Sequence, residues 1–131
     1  MLKDFVIADS VAIQTQEKYV DLHNEFDLTE VRIDLREHKI EIEFAVVEQR
    51  GAPAKITLRF TEVDWMQRSP EALKYPGCIE ELGYKEPLDN DHDWLISESQ
   101  ASPRAHLFIR LPEDEFIRIH SKRAQAVISS S

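Results

Sequence analysis

Val31-Arg32-Ile33-Asp34-Leu35-Arg36-Glu37-His38-Lys39-Ile40-Glu41-Ile42-Glu43-Phe44-Ala45-Val46 carries the clearest structural signal in the chain. Apolar side chains at Val31, Ile33 and Leu35 alternate with Arg32, Asp34 and Arg36. After a polar break, Ile40, Ile42, Phe44 and Val46 alternate with Glu41, Glu43 and Ala45. Successive side chains of a strand point to opposite faces, so this period of two marks two half-buried strands. Arg36 to Lys39 form the loop of a hairpin between them. That pairs Leu35 with Ile40, Ile33 with Ile42 and Val31 with Phe44 on one face. On the other it sets Arg32 against Glu43, a favourable pair, and Asp34 against Glu41, a small repulsion.

Strand character continues on both sides. Gln49 to Pro53 read as a loop, and Ile56, Leu58 and Phe60 line one face of the next strand. The apolar parity then flips to Val63 and Trp65, which calls for an inserted residue near Thr61-Glu62. A similar flip separates Leu28 from Val31. The chain closes on a second hairpin. A three-residue loop pairs Leu111 with Glu115, Ile109 with Ile117 and Leu107 with Ile119. The opposite face then carries Phe108 against Arg118, Arg110 against Phe116 and His106 against His120. Ala124 to Ile128 read as a further strand, and β-branched residues tilt Phe5 to Ile13 the same way.

One segment reads as helical. Ser69 is placed to cap a helix that starts at Pro70, Pro76 interrupts it, and Gly83 ends a second short turn with Tyr84 folding back on Ile79. The expected fold is therefore mainly β, α+β at most: an antiparallel β-sandwich or strongly curved sheet with one short broken helical segment around residues 70–82. No crossover helices support a parallel sheet. At 131 residues the chain fits a single domain spanning 1–131.

Composition narrows the function. Sixteen basic against 25 acidic residues give a net charge of −9, whereas nucleic acid and anionic lipid both demand a concentrated basic surface. Neither is an expected partner, and a basic protein is steered toward such a surface. The single cysteine, Cys78, allows no internal disulfide, and uninterrupted apolar runs reach only four residues, as in Phe5 to Ala8. A cytoplasmic location follows.

Candidate chemistry is sparse. Asp89-Asn90-Asp91-His92-Asp93 begins like a calcium loop, but Trp94 stands where the turn needs glycine and Gln100 where the closing glutamate belongs. Asp91, His92 and Asp93 are left as a weak metal site, set against a solvated loop of Asx turns. His106 facing His120 offers two ligands, an incomplete set. Cys78 stands in no nucleophile motif, and three glycines form no phosphate-cradling loop, so no cofactor is expected. What remains is the outward face of the last hairpin. His106, Phe108, Arg110, Phe116, Arg118 and His120 combine arginine with aromatics, the pairing that binding hot spots use, unless a second layer buries them.

In size, charge and strand pattern the chain resembles the small acidic β-rich proteins that bacteria use as toxin-immunity or regulatory partners. That resemblance implies a protein partner and assigns no residue a role. The sequence points to a non-catalytic protein-interaction module, working through another protein or by self-association. A small-ligand or metal-binding domain, possible as an enzyme through the Asp89–Asp93 loop or the His106/His120 pair, is the alternative.

Overall fold

Two long strands organise the molecule, seen in a computed structural model that describes residues 1–47, 55–72, 74 and 77–129. In chain order the strands are β1 (Leu2–Lys3), β2 (Val6–Ala8), β3 (Ala12–Gln14), β4 (Tyr19–Asp21), β5 (Phe26–Asp34), β6 (Lys39–Val46), β7 (Lys55–Arg68), β8 (Glu81–Lys85), β9 (His106–Arg110) and β10 (Phe116–Ser129). β7 and β10 pair antiparallel along their whole length. β6 and then β5 flank one end of this ribbon, β9 and then β8 the other, and β1 adds in parallel to β10. A separate three-stranded meander, β2-β3-β4, ties to the large sheet where the Leu82 amide donates to the Ser10 carbonyl. The architecture is mainly β and antiparallel, with strong curvature.

The curvature comes from the parity flips. The β7–β10 register shifts between His120 and Ser121, and Glu62 adopts a left-handed φ of 54° beside the shift. Ile117 and Ile119 face the core before this point, Ala124, Ala126 and Ile128 after it. Val63 packs on that core, whereas Trp65 lies on the outer face, because the irregularity falls between them. The second bulge sits between Leu28 and Glu30. The ribbon thereby folds both flanking hairpins around one cluster containing Phe26, Phe44, Phe60, Leu82, Tyr84 and Ile117.

The first hairpin keeps its predicted faces but slides by two residues. Ile33 pairs with Ile40, Val31 with Ile42 and Asp34 with Lys39. A two-residue slip preserves the buried face, so polar chemistry decides the register. The observed pairing removes the Asp34–Glu41 repulsion. It also frees the Asp34 carboxylate to accept from the Arg36 and Glu37 amides at 3.1 Å each, pinning the turn, with His38 at φ 52°. Arg32 still reaches Glu43, diagonally, at 3.3 Å. The hairpin tip stands clear of the core, with Leu35 82% exposed.

The helical segment expected around residues 70–82 is corrected: the described residues there form turns, an isolated bridge at Gly77 and the start of β8. Ser69 caps no helix; its hydroxyl accepts from the Phe116 amide at 2.8 Å instead. Gly83 ends no helix either. It lies within β8, where a Cβ would sit 2.7 Å from Leu95 Cβ, so the position is glycine for close packing. The helical geometry in the described chain is the 3-10 turn Pro112–Asp114, in the predicted three-residue loop of the last hairpin. The loop expected at Gln49–Pro53, and Tyr75 and Pro76, lie outside the described residues. No helix of the described residues is long and apolar enough to cross a membrane.

Candidate functional site

The last hairpin has the predicted register: Ile109 pairs with Ile117, Leu107 with Ile119, Phe108 with Arg118 and Arg110 with Phe116. One face fills the core. The other gathers His106, Phe108, Arg110, Phe116, Arg118 and His120, joined by Trp65 from β7. What covers this face is the loop leaving β8, Glu86 to Asp93. Among the described residues no second sheet lies over it, and Phe108 and Arg118 are completely buried beneath the loop.

The covering loop is built for this position. The Asp89 amide closes a turn on the Glu86 carbonyl with Pro87 and Leu88 at its centre. Asp89 then accepts from the Asp91 amide, and Asp91 from the Asp93 amide, at 2.9 Å each. These are the Asx turns of the non-metal reading of this segment. His92 turns inward and packs edge-on against the stacked pair Phe116 and Phe108, with ring centroids 4.5 and 5.0 Å away. The exposed Asp91 and Asp93 are thus left without their histidine. His92 also offers its carbonyl to Arg110, whose Nε donates to Glu81 at 2.6 Å.

Arg118 is the anchor. Its guanidinium donates to the carbonyls of Asp89 (2.8 Å), Glu86 (3.0 Å) and Pro87 (3.4 Å), all in the loop. Its Nε donates to His106 Nδ1 at 2.9 Å, and a further N–H meets His92 Nε2 at 3.0 Å. A guanidinium has no lone pair to accept with, so both imidazoles accept and both are neutral. His106 is thereby the Nε2–H tautomer and His92 the Nδ1–H tautomer. The Arg118 side chain also lies over the Trp65 ring, 5.1 Å from its centroid, and Trp65 stacks on His106 at 4.3 Å. Among the described residues no carboxylate lies within ion-pairing distance of this buried cation; carbonyls, imidazoles and an indole face hold it.

Electrostatics agree with the geometry. Burial first, then the adjacent Arg118 charge, push His106 down to about 4. Burial and the charges of Arg118, Lys85 and Arg110 lower His92 as well. Lys85 is itself fully buried and reaches Asp89 at 3.1 Å; the Asp91 amide and Lys85 hold the Asp89 carboxyl below its usual range. His106 and His120 do meet across the strands, 5.6 Å between ring centroids, but each is engaged elsewhere, His120 Nδ1 on Asp64 at 2.6 Å. Among the described residues no group of three or more metal-ligating side chains converges.

Cys78 has a neighbour that sequence reasoning could not supply. His23, 55 residues away in the chain, lies 3.5 Å from its sulfur. The pair does not form a catalytic dyad. His23 Nδ1 is engaged by the Ile79 carbonyl and must donate to it, leaving no base toward the thiol. Burial and the acidic neighbours Asp27, Glu80 and Asp21 push the thiol up, away from thiolate. The adjoining cleft, about 190 Å³, is lined by Glu71, Glu113 and Glu115 beside apolar groups. Comparison of the chain with family models, with curated proteins and with solved structures finds no match.

Proposed function

We propose that the chain is a non-catalytic interaction module that binds a basic protein partner through the Glu86–Trp94 loop. The observation that carries this reading is Leu88, which is 93% exposed at a turn fastened from beneath by the fully buried Arg118. The carbonyls on either side of it, Pro87 and Asp89, both bond inward, so the leucine side chain is held out toward solvent. A displayed apolar side chain on a pinned loop loses little conformational entropy on binding. Trp94, 69% exposed at the end of the same loop, is a residue type favoured at interface hot spots. Asp91 and Asp93 are exposed beside it, and the chain carries −9 overall, so complementarity selects a basic partner. Phe108, Arg110, Phe116 and Arg118 then serve binding indirectly, as the platform beneath the contact residues.

The test is retention from a source lysate on immobilised protein, comparing wild type with Leu88→Ser and Trp94→Ser. Both sites are exposed, so stability should hold within about 0.5 kcal/mol. A basic protein retained by wild type in a salt-sensitive manner and lost with both variants is the expected result. Retention unchanged in both variants would move the contact surface elsewhere.

A further inference from the structure

We propose that the Arg118–His92–His106 cluster is an acid-released latch on the Glu86–Asp93 loop, shut at neutral pH and opened when the two imidazoles take up protons. The inference rests on reading this loop as the contact surface, and it adds the regulation of that surface.

The geometry makes the latch self-limiting. His106 Nδ1 and His92 Nε2 each accept an N–H of the same guanidinium, at 2.9 and 3.0 Å. A proton added at either nitrogen occupies the lone pair that the arginine uses. The hydrogen bond is lost, and an imidazolium stands against a buried guanidinium. His92 belongs to the loop and Arg118 to the sheet, so repulsion at His92 acts between the loop and its seat, while His106, on the sheet with Arg118, acts through the guanidinium that it helps to place. Among the described residues, the carboxylates that favour protonation, Asp64, Glu86 and Asp89, are each engaged by another group. Asp64 on β7 is engaged by His120 of β10, and Glu86 by Ser102. In the loop Asp89 is held by Lys85, and Glu81 of β8 is held by Arg110 of β9. The cations of this cluster, Lys85, Arg110 and Arg118, oppose protonation of His92; Arg118 and His120 oppose that of His106.

The sign follows by linkage. Burial and the charges of Arg118, Lys85 and Arg110 lower His92 while the loop is docked, and release of the loop carries His92 away from them, so the open form binds the proton better. His106 stays beside Arg118 on the sheet in either state. Loop docking is strongest at neutral pH and weakens as pH falls through the range in which a released histidine takes up its proton.

The Arg118 Nη1–H groups report opening directly, because they are bonded to His92 Nε2 and the Asp89 carbonyl of the loop. Their solvent-exchange protection, followed by NMR on the intact protein, is expected to fall progressively from pH 7.5 to 5. The β6 and β7 amides should keep theirs. In a His92→Gln/His106→Gln variant, whose side-chain carbonyls can still accept, protection should be flat over that range. Unchanged protection in wild type would overturn the proposal. So would a fall shared equally by β6 and β7, or the same fall in the double variant. Should that variant fail to fold, the same measurement on His92→Gln alone decides: flat protection over that range supports the latch, and the wild-type fall refutes it. No partner enters this experiment, so a failed interaction reading and a failed latch give separate results.

Discussion

Replacing Arg118 with methionine keeps the aliphatic stem and removes the guanidinium from the centre of the outer face. Four well-formed hydrogen bonds go, to Asp89, Glu86, His106 and His92, plus a longer one to Pro87. At roughly 1.5–3 kcal/mol for each bond involving a charged group, their sum is on the order of 6–12 kcal/mol. Two effects oppose that sum. Among the described residues the buried cation has no carboxylate within ion-pairing distance, so its removal recovers a desolvation cost of several kcal/mol. The loop can also peel away and let water take its carbonyls, which caps the loss at the free energy of docking the loop. The expected net destabilisation is about 2–4 kcal/mol, with loss of order confined to Glu86–Asp93. Arg118→Lys should recover less than half, because one ammonium cannot serve acceptors fanned around a planar fork. Urea unfolding with midpoint and slope compared to wild type measures the effect. A methionine variant as stable as wild type, with the loop still ordered, would refute the reasoning and make the cation dispensable.

Three further outcomes are expected. Phe44→Ala, at a fully buried position of β6, should cost about 3–5 kcal/mol by denaturant midpoint; an unchanged midpoint would mean the face assignment is wrong. Gly83→Ala should cost about 1–3 kcal/mol, since its Cβ meets Leu95 Cβ at 2.7 Å and the Ile96 carbonyl at 3.1 Å; a neutral result would show that segment free to move aside. Cys78, its thiol held up by burial and by Asp27, Glu80 and Asp21, should react with iodoacetamide at pH 8 more slowly than free cysteine; faster alkylation would signal an activated thiolate.

The parts of the fold visible in the sequence are those fixed by local periodicity. The last hairpin could be registered to the residue, because a three-residue loop satisfied apolar pairing and kept Arg110 and Arg118 from facing each other. In the first hairpin the same apolar pattern tolerates a slip of two, and the side-chain cap from Asp34 chose between the registers. The helix misreading around 70–82 has a specific cause. Ser69-Pro70-Glu71 and Gly83 carry helix-end chemistry, yet Leu82 to Tyr84 are claimed by the edge of β9, where non-local pairing outweighs local preference. The His106, Phe108, Arg110, Phe116, Arg118 and His120 face was legible as a set. Its cover was not, because a polar loop such as Glu86–Asp93 has no period that announces where it will fold. Nor does sequence place His23 beside Cys78 or tell that His92 would turn inward onto Phe116.

Both the interaction reading and the latch require that Leu88 be displayed by a rigid loop. Backbone 15N relaxation at neutral pH measures this directly, residue by residue from Glu86 to Asp93. Fastened by Arg118, these amides should show order parameters near those of the strands, about 0.85, despite the exposure of Leu88. Values below about 0.6 would describe a loop that Arg118 does not hold, and would contradict the account.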